Sequence, residues 1–283
     1  KPGETLHINQ AQKEFGGGKG ANQAIAASRL AADTTFISKI GKDGNANFIL
    51  EDFKKAGIHT QYILTSENEE TGQAFITVDE AGQNIILVYG GANMTLSATD
   101  VEMSAEAFIG ADFVVAQLEV PFEAIEQAFK IARKQNITTV LNPAPAIELP
   151  KSLLELTDII IPNETEAELL TGISINNESD MKETATYFLN LGISAVLITL
   201  GEQGTYCAYQ EQYKIIPACN VKAVDTTAAG DTFIGAFLSE LNKDLSNLES
   251  AIRLANQASS LTVQRKGAQA SIPTRKEVEA EYN

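Results

Sequence analysis

Short apolar runs rich in Val, Ile and Phe alternate with segments of helical period along most of the chain, and this alternation constrains the fold more than any other feature. It predicts an α/β architecture: a three-layer sandwich with a mostly parallel central sheet, because consecutive strands joined through helices return in the same direction. The strands are expected at Thr34–Lys39, Asp112–Gln117, Thr138–Asn142, Asp158–Ile161 and Ala195–Thr199. Between them Ala21–Ala31, Ala46–Ala56, Phe122–Lys134, Thr165–Leu170 and Lys182–Leu191 read as helices. Asp231–Leu241, Leu248–Gln264 and Lys276–Tyr282 add helices in the last third. No internal repeat or low-complexity linker interrupts the pattern.

One stretch breaks it. Gln61–Leu64, Gly72–Val78 and Asn84–Tyr89 read as three short strands with no helix between them, and Thr5–Phe15 offers a fourth. Asp79–Gln83 supplies a turn. So small a sheet cannot bury both faces alone, so it is expected either to cover the main domain as a lid or to pair with its twin in a homodimer. The chain then divides into an α/β domain of residues 16–60 and 90–283 and a small β lid of residues 1–15 and 61–89.

Composition removes several classes of function. A net charge of −16 argues against binding to nucleic acid or to an anionic membrane, since phosphate backbones reward clustered Lys and Arg. No apolar stretch is long enough to span a bilayer as a helix. Cys207 and Cys219 stand alone, without the second Cys or His of a zinc site, and read as free thiols of a reducing cytoplasm. His7 and His59 pair with no Ser or Cys in a hydrolytic arrangement.

The segment richest in chemistry is Val224–Phe233, where small residues open a helix that continues through Phe233, Ile234, Phe237, Leu238 and Leu241. Free N–H groups of Ala229, Gly230 and Asp231 would leave that helix N-terminus, and small side chains let a phosphate approach them. The positive end of the helix suits charge spreading over a phosphoryl group in flight. A carboxylate in the same turn can take a proton from an attacking hydroxyl. On spacing alone, Asp231 as a mere helix cap carries about equal weight.

Three further segments are weaker singly. Phe15–Ala24 is glycine-rich and opens a helix, but Gly20 follows Lys19 where a Walker loop needs Ser or Thr. Lys19 and Asn22 would there present donors to sugar hydroxyls. In Ile161–Glu168 three glutamates in one turn complement a helix dipole, and they can also organise Mg²⁺ through waters. Ile198–Gly204 is a strand running into a two-glycine turn, either a plain turn or an approach to a nucleotide.

Together and in this order the segments resemble the ribokinase-like carbohydrate kinase superfamily. GGKGANQA (Gly17–Ala24), QLE (Gln117–Glu119), NPAPA (Asn142–Ala146) and PNETEAE (Pro162–Glu168) carry the resemblance. TLGxxG (Thr199–Gly204), DTTAAGDTF (Asp225–Phe233) and RKGAQ (Arg265–Gln269) complete it over essentially the whole chain. The resemblance implies ATP-dependent phosphorylation of the 5-hydroxyl of D-ribose with Asp231 as general base. It implies a sugar site of Gly18, Lys19, Gly20, Ala21, Asn22, Glu119 and Asp231. ATP would meet Asn163, Thr199, Leu200, Gly201, Glu202, Gln203, Gly204, Gly230, Asp231 and Asn256, with an anion hole at Ala228, Ala229 and Gly230. Glu166 would act on Mg²⁺ through its water shell. K⁺ would sit at Asp225, Thr227, Thr262, Arg265, Gly267 and Ser271, largely on backbone carbonyls.

Two departures qualify what the resemblance implies. The superfamily commonly has Gly where this chain has Ala228. In the family, a first strand bearing an Asn and an Asp that grip the sugar precedes the position of Lys1, and those two residues have no counterpart here. The 283 residues alone are therefore expected to bind nucleotide but to phosphorylate ribose poorly. Another sugar or nucleoside kinase of the superfamily, or a nucleotide-binding protein with little turnover, are the competing readings.

Overall fold

A computed structural model describes residues 16–78 and 84–282. The expected strand at Thr5–Phe15 and the turn at residues 79–83 lie outside them. The first half runs α1 (Lys19–Arg29), β1 (Ser38–Ile40), α2 (Gly44–Ala56), β2 (Ile63–Thr65), β3 (Gln73–Val78) and β4 (Asn84–Tyr89), then α3 (Ala98–Met103). Next come β5 (Phe113–Ala116), α4 (Phe122–Lys134), β6 (Thr138–Leu141), α5 (Lys151–Leu154), β7 (Ile159–Ile160), α6 (Glu164–Thr171), α7 (Glu178–Asn190) and β8 (Ala195–Thr199). A hairpin of β9 (Thr205–Tyr209) and β10 (Gln212–Ile216) follows, then α8 (Ala229–Glu240), α9 (Leu248–Val263) and α10 (Arg275–Tyr282).

The main sheet has the order β10-β9-β8-β7-β6-β5. Strands β5 to β8 are parallel, and β9 and β10 run antiparallel to their neighbours. Its pleat divides the core in two. Val140, Ile159, Ala195, Leu197 and Cys207 face a layer built on α8 and α9. Their neighbours Leu141, Ile160, Val196, Ile198 and Tyr206 face α4 and α7 on the other side. Burial on both faces explains why these strands read as continuous apolar runs rather than as alternation.

The helices follow their own chemistry. In α4, Ala124, Ile125, Phe129 and Ala132 are buried, with Glu123 in the first turn and Arg133 and Lys134 in the last, matching the dipole. Asp43 caps α2 by accepting from Ala46 N at 2.9 Å, and Gly57 ends it at φ 84°. Helices α1 and α8 pack so closely that a Cβ at Gly235 would lie 2.5 Å from Ala26 Cβ. This close packing brings Asn22 and Gln23 of α1 to Asp231 of α8.

Three elements depart from expectation. Gln61–Leu64 does not join the small sheet; Ile63–Thr65 pairs in parallel with Ser38–Ile40, because α2 between them forms a β-α-β crossover. Strands β1 and β2 thus form a two-stranded sheet of their own, and the antiparallel β3–β4 ladder is a second one. The β9–β10 hairpin was not expected at all. Its turn places Gln210 at φ 47° and Glu211 at φ 62°, a conformation usually signalled by Asn-Gly, so the turn left no sequence mark.

Candidate active site

The carboxyl ends of β5, β6, β7 and β8 lead into Gln117–Glu119, Asn142, Asn163 and Gly201, all at one end of the sheet. Helices α1, α6 and α8 point their N-termini to the same place. There a cavity of about 210 Å³ is lined by Lys19, Asn142, Asn163, Glu166, Thr199, Thr226, Ala228, Ala229, Gly230 and Asp231, with Ala144, Ile161 and Ile234 behind them. Parallel α/β sheets collect ligands at this end because strand termini and helix N-termini together present outward-facing polar groups.

Asp231 sits in the first turn of α8 but does not cap it: the N-cap is Ala228, and no side chain bonds there. The Asp231 carboxylate instead accepts from Asn22 Nδ2 at 2.9 Å on Oδ2 and from Gln23 Nε2 at 3.0 Å on Oδ1. Part of its surface still meets the cavity. Burial raises its pKa above the ordinary carboxylate value, opposed by the Asn22 and Gln23 amides and the Lys19 charge. Asn22 is 6% exposed, and its Oδ1 is buried without a hydrogen-bond partner among the described residues.

The glycine-rich loop supplies a second donor. Gly18, at φ 91°, turns the chain so that Lys19 N donates to Glu119 Oε2 at 2.7 Å. Burial raises the Glu119 pKa; Lys19 lowers it through that bond and its charge, and Asp231 raises it further. A Cβ at Gly20 would lie 2.8 Å from Gln117 Oε1. Ala21 packs beside a small apolar cluster of α1 and α2 that contains Ile25 and Phe53.

At the nucleotide end, Asn163 and Glu166 form a reciprocal capping box on α6. Asn163 Oδ1 accepts from Glu166 N at 2.8 Å, and Glu166 Oε2 accepts from Asn163 N at 2.9 Å. Burial raises the Glu166 pKa; the Asn163 N–H and Lys19 lower it, and Asp231 raises it. Thr199 N donates to Pro162 O at 3.0 Å, and Leu200 N to Gly204 O at 2.8 Å, closing the two-glycine turn. Leu200 is buried, while Gly201, Glu202 and Gln203 are exposed.

Two expected ligands are engaged otherwise. Ala229 N donates to Thr226 O at 3.2 Å, a turn enforced by Ala228 at φ 60°, so this N–H is not free as expected for the anion hole. Asn256 is buried, with Nδ2 on Ile216 O and Pro217 O and Oδ1 accepting from Thr205 Oγ1, so it ties β9 and β10 to α9.

The model of the pfkB family carbohydrate kinases matches residues 1–275. The chain belongs to the pfkB family of carbohydrate kinases. This pfkB kinase is 64% identical over 278 residues to the ribokinase of Staphylococcus aureus (strain COL), covering 98% of this chain and 91% of that one. It also resembles the solved ribokinase of Thermotoga maritima, at 35% identity and TM-score 0.88, covering 99% of this chain and 91% of the other. The Arabidopsis thaliana ribokinase solved with ribose and ATP matches at 34% identity and TM-score 0.90, with the same coverage. The fold is ribokinase-like.

In this pfkB kinase the segments expected to hold a cation come partly together. Asp225 accepts from Thr227 N at 3.0 Å and from Gly267 N at 2.9 Å. Burial opposes the Asp225 charge, but the Gly267 and Thr227 donors and Lys266 outweigh it and hold its pKa below the usual value. Ser271 is fully buried. The Thr262 hydroxyl turns to Thr232 Oγ1 at 3.0 Å, and the Arg265 guanidinium leaves for Glu277 at 2.8 Å, so neither side chain joins Asp225. Sequence reasoning assigned no role to Gln23, Gln117, Asn142 or Thr226. All four lie inside the motifs quoted above, but nothing in the motifs says that they touch.

Proposed function

We propose that this chain transfers the γ-phosphoryl group of ATP to the 5-hydroxyl of D-ribose, giving ribose 5-phosphate and ADP. The observation that carries the reading is that Asn22 Nδ2 donates to Asp231 Oδ2 at the mouth of a helix N-terminus while Asn22 Oδ1 is buried without a partner among the described residues. A hydroxyl-rich ligand supplies the missing donor, and each unmatched buried polar group favours such a ligand strongly. The similarity to ribokinases supports ribose as that ligand.

In this reading Lys19, Gly18, Gly20, Ala21, Asn22 and Glu119 form the sugar side. Asn163, Thr199 to Gly204 and Gly230 form the nucleotide side, with Asn256 shaping it from behind. Asp231 takes the proton of the 5-hydroxyl as its oxygen bonds to the γ-phosphorus and the bond to the bridging oxygen of ADP breaks. The N–H groups of Gly230 and Asp231, with the α8 dipole, receive the phosphoryl charge.

Glu166 fits a place near Mg²⁺: one oxygen is committed to Asn163 N, and the buried side chain lines the cavity. Mg²⁺, when bound, spreads the phosphate charge. Asp225, with the backbone of Thr227, Thr262, Arg265, Gly267 and Ser271, fits an oxygen-lined place for K⁺, which would brace the loop ahead of α8. The exposed face of the β3–β4 ladder, with Phe75, Leu87, Val88 and Tyr89 from 42% to 68% exposed, fits a lid that also joins two copies. Residues 16–65 and 90–283 would then be the kinase body. The use of ATP supports a cytoplasmic location.

The test is a panel of D-ribose, 2-deoxyribose and fructose with ADP release as the readout. The highest kcat/KM is expected for ribose. Preference for another sugar contradicts the substrate, and release with none contradicts the reaction.

A further inference from the structure

Gln23 is 1% exposed and has three side-chain partners. Its Nε2 donates to Asp231 Oδ1 at 3.0 Å and to Asn142 Oδ1 at 3.0 Å, and its Oε1 accepts from Gln117 Nε2. Asn142 Nδ2 in turn donates to Ile161 O at 2.9 Å, at the end of the sheet. The direction of every amide in this chain is determined. Ile161 O accepts only, so Asn142 must present its oxygen to Gln23. An ionised carboxylate also accepts only, so Gln23 must present its NH₂ to both, leaving its oxygen for Gln117.

We infer that Gln23 is a positioning residue for the reaction: it holds Asp231 Oδ1 as a permanent acceptor, so that Oδ2 is the oxygen that takes the substrate proton. This inference rests on the reading of Asp231 as the general base. Among the described residues Oδ2 is held by Asn22 alone, whose own oxygen lacks a partner there, so that bond can be exchanged for a substrate hydroxyl. Oδ1 has no such freedom, because moving Gln23 would strand the buried Asn142 and the half-buried Gln117. The other charged groups facing Asp231 are Lys19 on α1, Glu119 after β5 and Glu166 on α6. None of these three hydrogen-bonds Oδ1.

The test compares Gln23→Met, which keeps length and loses the donor, with Gln117→Met, which disturbs the same buried network without touching the carboxylate. Both are assayed with D-ribose, Mg-ATP and K⁺ across pH. Gln23→Met is expected to lower kcat by about 10²-fold with little change in either KM, since a misplaced base costs that much. Its acid limb should move to higher pH, because a donor to the ionised carboxylate is gone. Gln117→Met should lower the melting temperature similarly while leaving the limb in place. A limb unmoved in Gln23→Met, or moved equally by both, overturns the assignment. Failure of Gln23→Met and Gln23→Asn alike to fold also overturns it, since Gln23 is then a core residue only. If the wild-type chain turns over no sugar, the ribose reading has failed separately. The Asp231 carboxyl, followed by ¹³C NMR in wild type and Gln23→Met, then decides: equal titration overturns the inference and an upward shift supports it.

Discussion

The backbone N–H of Lys19 donates to Glu119 Oε2 at 2.7 Å, joining the start of α1 to the end of β5 across a hundred residues. The bond fixes where the glycine-rich loop lies over the sheet, and it leaves Glu119 with a second oxygen for a ligand. Glu119→Gln keeps the shape and removes the charge. A hydrogen bond to a charged group contributes about 1.5–3 kcal/mol, so the apparent affinity for ribose should fall roughly 10- to 100-fold. The Kd for ATP, measured calorimetrically without sugar, should stay within about twofold of wild type.

Gly204 has φ 106° and ψ −132°, and a Cβ there would lie 2.1 Å from Ile216 O and 2.6 Å from Ala218 N. No L side chain accommodates both. Gly204→Ala should cost about 3–5 kcal/mol from strain and overpacking together. Thermal unfolding is expected roughly 10 °C lower, and ATP binding should weaken with it. An unchanged melting temperature would mean that the two-glycine turn is not built as described.

Ala228 stands at φ 60°, the region where glycine is at ease, which gives a physical reason for the glycine common at this position in the superfamily. Ala228→Gly relieves about 1 kcal/mol of strain and adds a similar entropy to the unfolded chain. Its melting temperature and turnover should stay close to wild type. Ala228→Val, with a branched Cβ in the same conformation, should lose both.

Asp231 carries a stability cost at neutral pH. Burial raises its folded pKa, so its contribution to stability is fully present below the unfolded pKa and lost as pH rises through the folded one. Asp231→Asn removes the charge, and Asn22 can rotate its unpartnered oxygen toward the new amide. The variant should therefore melt at a higher temperature than wild type at pH 7, and the gap should close as pH falls. Melting curves from acid to neutral pH check it; a variant less stable at pH 7 would mean that the charge is not costly.

The parallel core was legible because strands buried on both faces must be apolar throughout, as Ala195–Ile198 are. The β9–β10 hairpin was not, since Gln210 and Glu211 adopt a turn that their side chains do not advertise. Asp231 could be picked out from small residues before an amphipathic helix. Its partners could not, because Asn22, Gln23 and Asn142 meet only through the close packing of α1 on α8 and the ends of the sheet strands. Asn256 is a nucleotide contact only by the family resemblance, and its amide is taken up inside the protein by Ile216 O, Pro217 O and Thr205 Oγ1.

The most direct test of the central claim is the rate of ribose-dependent ADP release by wild type and Asp231→Asn, measured together at saturating ATP with Mg²⁺ and K⁺. Loss of a general base typically costs about 10²–10⁴ in rate. The account predicts a fall in kcat of that size with ATP affinity retained, in a variant that remains folded. Near-normal turnover in Asp231→Asn would contradict it.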